Sequence, residues 1–536
     1  MSKTKNMLFI MCDQLRWDYL SCYGHPHLHT PNIDRLAKLG VRFDSAYVQA
    51  PLCGPSRASF YTGRYMSSHG VQWNFHPLGV GQTTLGEYLE PQGVRTLLVG
   101  KTHVVPDREG MARMGIDASS EIGIRVAQGG FEPFERDDGL HPDGVLRVRP
   151  EPRYNHYLRE QGYQNENPWD RNANGALDEQ GNFVSGWYLR HDSRPANIAE
   201  EHSETPYMTT RAIECIEELG DEPWCIHLSY IKPHWPYMVP APYHNMYGEE
   251  HILPTNCAKS ELDDPHPVYE AFTQIRGSRN FSRPEVRSAV IPAYMGLVKQ
   301  IDDQIGRLLD WLEENDYMKN TMIVFTSDHG DYLGDHWLGE KDLFHEESVR
   351  IPLIVYDPSP EADKTRGTVE TRFVESIDMV PTFLELTGGT AQPHKLEGRS
   401  LLPLLHGKSV ERWREYVISE TGYSGRQARQ LLGLEPSDCR GYMIRNERWK
   451  YILWEGFEPQ LFDLHHDPNE LKDLGRSRQH EAIRHNLHNQ LFTWLRKRQM
   501  RTTISEERAA TFTSEWEDSV GVLIGYWSEE EGPFLD

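Results

Sequence analysis

Four short runs of mostly apolar residues stand out along the chain, and each ends in polar residues or glycine. A run of this length, bounded by turn-forming residues, is typical of a strand that is buried on both faces of a sheet. The predicted strands are Met7–Cys12, Val94–Val99, Cys225–Tyr230 and Met322–Thr326.

Helix signals lie between these runs. Thr30 is a good N-cap, Pro31 suits the first helical position, and Gly40 ends the helix that they begin. The segment Glu285–Asn315 carries apolar residues at helical spacing, and we expect a kink or break at Pro292. Strands that alternate with helices predict an α/β fold with a large, mostly parallel sheet flanked by helices.

Polar side chains capable of chemistry follow the predicted strands. In a parallel sheet, binding sites form at the carboxyl ends of the strands. Residues from distant parts of the chain would therefore meet at one edge and form a single polar site. The residues placed there are Asp13, Lys101, His103, His234, Asp328 and His329.

Two parts of the chain lack this alternation. Residues 104–205 are rich in Gly, Pro and charged residues, which predicts an irregular excursion over the sheet edge that lines the substrate pocket. We assign residues 1–385 to the catalytic domain and 386–510 to a smaller antiparallel α+β domain that includes a helix at Glu481–Gln499. Its short strands are predicted at Tyr416–Ser419, Gly441–Arg445, Lys450–Trp454 and Gln460–Asp463.

The C-terminal tail, residues 511–536, contains an apolar stretch among acidic residues, Gly521–Trp527. One interpretation is a strand that packs on its own subunit. The interpretation that we favour is an arm that packs on a neighbouring chain, which predicts a homo-oligomer, either a dimer or a tetramer.

Charge limits the choice of partner. The 536 residues include 56 Lys and Arg against 80 Asp and Glu, a formal net charge of −24. A chain this acidic repels nucleic acid and anionic membranes, so we expect neither as a partner. An anionic substrate would need a local cationic pocket.

The N-terminus and the cysteines indicate the cellular compartment in which we expect the protein. No apolar run approaches transmembrane length, and the run at Met7–Met11 is too short for a signal peptide. The seven cysteines are scattered, without disulfide or zinc-site spacing. We therefore expect a cytoplasmic protein with reduced thiols.

One cysteine lies in a distinctive motif. Residues 53–57 read Cys-Gly-Pro-Ser-Arg, a C-x-P-x-R pattern, and Thr62-Gly63-Arg64 follow. Gly and Pro open a tight turn, and the helix that follows would direct its N-terminal N–H groups at an anion. A structural thiol is an alternative, because so short a pattern also occurs by chance. A phosphatase-type cysteine fits less well, because it needs a phosphate-wrapping loop in which Pro55 is hard to place.

The motif resembles the signature of the type I sulfatases of the alkaline-phosphatase superfamily. The resemblance implies that Cys53 is oxidised to formylglycine by a formylglycine-generating enzyme before folding is complete. The hydrated aldehyde offers a hydroxyl nucleophile. The resemblance extends through most of the chain and also implies an alkaline-phosphatase-like fold.

A metal site is part of the same resemblance. Its implied ligands are Asp13, residue 53, Asp328 and His329, with Gln14 adjacent. Carboxylate and hydroxyl oxygens suit Ca²⁺, Mg²⁺ or Mn²⁺, and one imidazole shifts the preference toward Mn²⁺. We expect one divalent ion, Mn²⁺ or Ca²⁺, with Mg²⁺ as a further candidate.

Further roles follow from matching motifs. Gly100-Lys101-Thr102-His103 matches a G-K-x-H motif, in which the lysine binds residue 53 and sulfate and the histidine assists turnover. His234, in a K-P-H-x-P segment, would protonate the leaving oxygen. Arg57 would orient residue 53, Lys341 would bind the transferred group, and Asn74 would bind a non-bridging oxygen.

The substrate is then a small anionic ester, and we predict an arylsulfatase-like hydrolase of sulfate monoesters. Gln14, His329 and Asn74 resemble bacterial phosphonate monoester hydrolases instead, so phosphonate monoester or phosphodiester hydrolysis is the alternative. Lys101 and His103 favour the sulfatase. A non-catalytic binding protein on the same fold would have lost a ligand or a cation, and none is missing.

Overall fold

The computed structural model describes residues 5–146, 150–498 and 502–511. The strands of this part of the chain are β1 (Asn6–Asp13), β2 (Val41–Tyr47), β3 (Pro77–Leu78), β4 (Arg95–Gly100), β5 (Val105–Pro106), β6 (Glu132–Arg136), β7 (Gly175–Leu177), β8 (Phe183–Ser185), β9 (Trp224–Pro233), β10 (Thr321–Ser327), β11 (Arg350–Tyr356), β12 (Thr368–Glu370), β13 (Val374–Glu375), β14 (Tyr416–Gly422), β15 (Arg440–Asn446), β16 (Trp449–Trp454) and β17 (Gln460–Asp463).

The α-helices of the same residues are α1 (Pro31–Leu39), α2 (Cys53–Thr62), α3 (Met66–His69), α4 (Leu85–Leu89), α5 (Arg108–Met114), α6 (Glu121–Ala127), α7 (Asp143–Leu146), α8 (Arg153–Glu160), α9 (Glu204–Leu219), α10 (Pro267–Thr273), α11 (Arg276–Phe281), α12 (Pro284–Glu314), α13 (Glu346–Val349), α14 (Met379–Leu386), α15 (Leu402–Leu405), α16 (Gln427–Leu432) and α17 (Glu481–Lys497). None of these helices is both long enough and apolar enough to cross a membrane.

A mostly parallel sheet of nine strands forms the centre of the described chain. Its order is β12-β2-β11-β10-β1-β9-β4-β6, and β13 also pairs with β2. Strand β11 runs antiparallel to both of its neighbours, whereas the other neighbouring strands are parallel. The predicted α/β fold class is therefore confirmed.

The two faces of the sheet pack into two separate apolar cores. In β1, Met7 and Phe9 belong to one core, while Leu8 and Ile10 belong to the other. Helices α2 and α14 contribute to the first core, and α9 and α12 to the second. Because both faces are covered, β1 has no polar face, which is why its sequence is a continuous apolar run.

Several strands of the main sheet and one helix differ from the sequence-based expectation, and β12 and β13 are among the strands that were not predicted. Strands β2 and β11 were not predicted: β2 mixes polar and apolar residues, and Pro352 interrupts β11 at a bulge. Helix α12 continues through Pro292, so the break that we considered there does not occur.

The 104–205 segment holds more regular structure than expected. It contains helices α5, α6 and α8, and strand β6 extends the main sheet at its edge beside β4. The expectation of an irregular excursion is therefore wrong in part, although the segment does run over the sheet edge. Its helices are short, and Gly and charged residues separate them, which obscured their periodicity.

A separate four-stranded antiparallel sheet of the described residues follows, in the order β14-β15-β16-β17, and helix α17 packs beside it. These elements agree with the strands and the helix predicted after residue 385. The apolar stretch Gly521–Trp527 lies outside the described residues, so the oligomerisation arm stays a prediction.

Lys450 connects this small sheet to the segment at Phe344 and Glu346. Its buried ammonium donates to the Phe344 carbonyl at 2.8 Å, and it forms ion pairs with Glu346 at 2.9 Å and Glu470 at 2.6 Å. Since a buried carboxylate that loses its partner is strongly unfavourable, this contact fixes how β16 meets the segment before α13.

We predict that Lys450→Met lowers the free energy of unfolding by about 3–5 kcal/mol, because the buried Glu470 would lose its cation and the partly buried Glu346 would be left with the more distant Arg445, at 3.7 Å. Urea unfolding followed by circular dichroism measures the change. The exposed Lys472 is the control, since Lys472→Met should change stability by less than about 0.5 kcal/mol. Equal effects of the two substitutions would contradict a structural role for Lys450.

Candidate active site

Four adjacent parallel strands bring the predicted site residues together. The order β10-β1-β9-β4 places the carboxyl ends of these strands side by side. Cys12 pairs in register with Ser327, and Asp13 pairs with Pro233 across a bulge. The polar residues that follow each strand therefore meet at one edge of the sheet, as predicted.

Residue 53 begins helix α2 at this edge. Cys53 is 1% exposed, and every residue of the helix is buried. The Ser56 hydroxyl donates to the Asp328 carbonyl at 2.6 Å, and the Gly54 N–H donates to the Asn74 side-chain oxygen at 2.8 Å. A Cβ on Gly54 would lie 3.1 Å from that oxygen, so a larger residue here would require the Asn74 side chain to shift slightly. Asn74 thus supports the first turn of the helix.

The four predicted metal ligands lie in one cluster. The candidate ligand atoms of Asp13, Cys53, Asp328 and His329 all lie within 4.8 Å of one another, and all four residues are buried. The Cys53 Sγ is 3.0 Å from His329 Nε2 and 3.7 Å from Asp13 Oδ1. The geometry therefore allows these side chains to share one ion.

The donor set fits a hard divalent cation. Two buried carboxylates face the cluster, and His329 donates through Nδ1 to the Gly330 carbonyl at 2.9 Å, which directs Nε2 toward residue 53. A ligand histidine is commonly oriented in this way. Burial lowers the pKa of His329, but Asp328 and Cys53 outweigh burial and raise it to about 9. The cluster thus favours a positive charge next to Asp328 and residue 53, where His329 lies.

Arg57 connects the two carboxylates. Its guanidinium, which is fully buried, donates to Asp328 Oδ2 at 2.7 Å and to Asp13 Oδ2 at 3.3 Å. It also donates to the Lys101 carbonyl and the Ser229 hydroxyl, both at 2.8 Å. Arg57 therefore orients the carboxylates, and its charge also interacts directly with residue 53.

Lys101 and Lys341 give residue 53 a positive surrounding. Lys101 pairs with Asp13, and Lys341 donates to the Gln14 side-chain oxygen at 2.5 Å. Burial alone would raise the pKa of the Cys53 thiol, yet Lys341, Lys101 and His329 hold it well below its ordinary value. An anion at this position is thus stabilised even though the chain as a whole is acidic.

Gln14 lies beside the ligand cluster, where we predicted it. Its backbone N–H donates to Asp328 Oδ1 at 3.0 Å, and its side chain bridges Lys341 and Asp331. Its φ of 68° lies in the left-handed region, which is unusual for a residue with a side chain. Gln14 thus fixes the lysine in place.

Two imidazoles also reach residue 53. His103 and His234 both lie close enough to the Cys53 side chain to interact with it electrostatically. His234 Nδ1 donates to the Trp235 carbonyl at 2.7 Å, which leaves Nε2 for residue 53 or its substrate. Burial, together with Lys341, lowers the pKa of His234. The His103 backbone N–H donates to Asp138 at 3.2 Å.

Sequence reasoning missed several residues of this site. Ser229 is a polar residue inside an apolar strand, and Asp331 comes three residues after Asp328, so both carried a signal. No sequence pattern pointed to Arg426. It lies between β14 and β15 and pairs with Asp342 at 2.7 Å, and its guanidinium carbon is 5.0 Å from the centroid of the Trp73 ring. Only the fold brings it next to the segment that carries Lys341.

The chain matches known proteins over most of its length. A sulfatase family model matches residues 5–134 and 139–389, and a model of the C-terminal region of N-sulphoglucosamine sulphohydrolase matches 334–497. A multifunctional alkaline phosphatase superfamily protein of Trinickia caryophylli is 31% identical over 91% of this chain and 95% of its own. An arylsulfatase of Clostridium perfringens is 28% identical over 89% and 91%. A phosphonate monoester hydrolase of Silicibacter pomeroyi superposes with a TM-score of 0.80, at 27% identity over 94% and 98% of the two chains.

We predict that Mn²⁺ raises the thermal unfolding midpoint of the metal-free protein, because an ion that binds only the folded state stabilises it. At 100 times the dissociation constant, the gain is about 2.7 kcal/mol. Asp328→Asn should abolish most of this gain. Asp310→Asn, at a surface carboxylate, is the control and should keep the gain. Full stabilisation of the Asp328 variant would mean that the ion binds elsewhere. Repeating the titration with Ca²⁺ ranks the two ions.

Proposed function

The chain belongs to the sulfatase family, and from that premise we propose that it hydrolyses sulfate monoesters with a formylglycine made from Cys53. The observation that carries this proposal is the placement of Lys101 and His103 beside residue 53, together with His234 and Lys341. These side chains form the cationic pocket that a monoanionic ester needs in a chain with a net charge of −24.

The modified residue and the cation supply the attacking group. A hydrated formylglycine offers a hydroxyl beside a divalent ion that stabilises negative charge on oxygen. The chain contributes the ionised ligands. Burial and Cys53 act to raise the pKa of Asp13, but Lys101, His234 and Arg57 keep it below its ordinary value, so the carboxylate stays charged.

His234 is the general acid of the proposal. Its Nδ1–H is occupied by the Trp235 carbonyl, so it is the imidazolium form of His234 that carries a second proton, on Nε2, for the leaving oxygen. Burial and Lys341 lower the pKa of His234 and disfavour this form, whereas the neighbouring Asp13 favours it. His103, which also interacts with residue 53, would accept a proton from the side chain of that residue. Two imidazoles at one residue allow one to donate a proton while the other accepts one.

Lys341 and Lys101 stabilise the transferred group. Gln14 holds the Lys341 ammonium, and Asp13 holds that of Lys101, so neither needs to reorganise when an anion binds. Preorganised charges of this kind stabilise the transition state more than mobile ones do. We include Asn74 as a contact to the substrate through its amide nitrogen, because its oxygen is used by Gly54.

The modification must precede burial. Cys53 is 1% exposed and lies inside a helix whose residues are all buried, so a modifying enzyme could not reach it in the folded protein. We therefore propose that a formylglycine-generating enzyme acts on the unfolded segment. A cytoplasmic location and a homo-oligomeric state complete the proposal; both rest on the sequence.

A second candidate is the hydrolysis of phosphonate monoesters or phosphodiesters by the same residues. It is favoured by the superposition on two phosphonate monoester hydrolases, each with a TM-score of 0.80, and by the likeness of Gln14, His329 and Asn74 to that group. These esters also carry one negative charge, so the cationic pocket accepts them. We rank this activity second because of Lys101 and His103.

We predict that the peptide containing Cys53 has a mass about 18 Da below that of the unmodified thiol, because oxidation to the aldehyde removes sulfur. Mass spectrometry of a tryptic digest measures it. Cys53→Ala should lower kcat/KM by at least about 10³-fold. A fully active protein with an unmodified thiol would rule out the proposed nucleophile.

We predict a higher kcat/KM for 4-nitrophenyl sulfate than for 4-nitrophenyl phenylphosphonate, with measurable turnover of both. The leaving group is the same, so the comparison reports on the transferred group alone. A higher value for the phosphonate would reverse the ranking of the two candidates. The absence of turnover for both, in protein shown by mass spectrometry to carry formylglycine, would contradict the proposed function as a whole.

A further inference from the structure

Two tryptophans extend outward from the general acid. We propose that Trp235 and Trp187, here called the aromatic wall, bind a planar aromatic leaving group, so that the preferred substrates are esters of phenols. The inference rests on the proposed function, because it assigns the leaving oxygen to His234. It adds the residues that would choose between aromatic and aliphatic leaving groups.

The rings form a continuous series that begins at the reaction centre. The centroid of the His234 imidazole is 4.3 Å from that of Trp235, with 36° between the ring planes. The centroid of Trp235 is 5.8 Å from that of Trp187, at 64°. These are the distances of favourable aromatic contacts. A leaving group bonded to the oxygen that His234 protonates would begin next to Trp235.

Exposure increases along the same series. Cys53 is 1% exposed and His234 is 3% exposed, Trp235 is partly buried, and Trp187 is 37% exposed. The series therefore leads from the buried nucleophile to solvent. In the proposal, the substrate enters along this series, and its leaving group, which departs first, lies on the outer side.

Trp187 is held in place and is not a loose surface residue. Its indole N–H donates to Asp170 at 3.0 Å, and its ring lies 6.2 Å from that of the fully buried Trp169. Asp170 itself is 8% exposed. A large apolar ring that is fixed and yet exposed offers a stacking surface with little loss of conformational entropy on binding.

Trp235 has a hydrogen-bonding group with no use inside the protein. Its indole N–H is buried and has no acceptor within the described residues. A buried donor of this kind normally finds a partner. An acceptor on the leaving group, such as the ester oxygen or a ring substituent, would satisfy it. The aromatic wall thus combines a stacking surface with one polar contact, which is the usual composition of a small-molecule site.

The segment that carries Trp187 belongs to residues 104–205, for which we predicted a role in lining the substrate pocket. Trp187 follows the short hairpin of β7 and β8. Its neighbour Tyr188 is 58% exposed and contacts His191 and Arg190 instead of Trp235. Two adjacent aromatic residues therefore have different surroundings, and only Trp187 joins the wall.

The test compares Trp187→Ala with the wild type on two activated sulfate esters, 4-nitrophenyl sulfate and 2,2,2-trifluoroethyl sulfate. The first leaving group is aromatic and the second is aliphatic. We expect kcat/KM for the aryl ester to fall about 10-fold, mostly through KM, and that for the alkyl ester to change less than about 2-fold. Trp187→Phe should recover part of the loss.

Tyr188→Ala is the matched control and should leave the ratio of the two kcat/KM values unchanged. Equal losses on both esters in Trp187→Ala, or no loss on either, would overturn the aromatic wall while leaving the proposed function intact. The aromatic wall would also be overturned if Trp187→Ala lowered kcat/KM only for a sulfate ester of a quaternary ammonium alcohol, because the two rings would then bind cations. Failure of the wild type to hydrolyse any of these esters would reject the proposed function itself.

Discussion

The buried guanidinium of Arg57 is the contact on which the site depends. Two carboxyl groups, those of Asp13 and Asp328, lie with it at the ends of β1 and β10, and all three side chains are fully buried. In a low-dielectric interior, carboxylates this close would repel each other strongly without a partner. Arg57 compensates them, and because it is part of α2, the same contact fixes residue 53 beside them.

This arrangement explains how an acidic chain can build a cationic site. The net charge of −24 describes the whole chain, whereas residue 53 lies beside two buried lysines, Lys101 and Lys341. Lys101 is paired with Asp13, and Lys341 donates to the Gln14 amide. The left-handed backbone of Gln14 and of His103 shows that the surrounding structure, and not local preference, holds these residues in position.

Much of this could be predicted from the sequence, for a physical reason. The strands that carry the site are buried on both faces, so β1, β4, β9 and β10 appear as apolar runs, and parallel pairing places the residues after them together. The sequence does not reveal which side chains contact each other inside the site. The bridge from Gln14 to Lys341, and the arrival of Arg426 beside Asp342, depend on register and on a second sheet far along the chain. Strand β2 was missed because it is less apolar than its neighbours.

The contacts of Lys450 and Arg426 bear on how such a protein can evolve. Both residues lie in the C-terminal half, near the small sheet, and both bind the segment between residues 341 and 346 that includes Lys341. The two sheets therefore do not behave as interchangeable modules. A recombination event that joined the first part of this chain to the last part of a distant relative would have to preserve both contacts. Otherwise Lys341 would be inherited without the residues that support its segment.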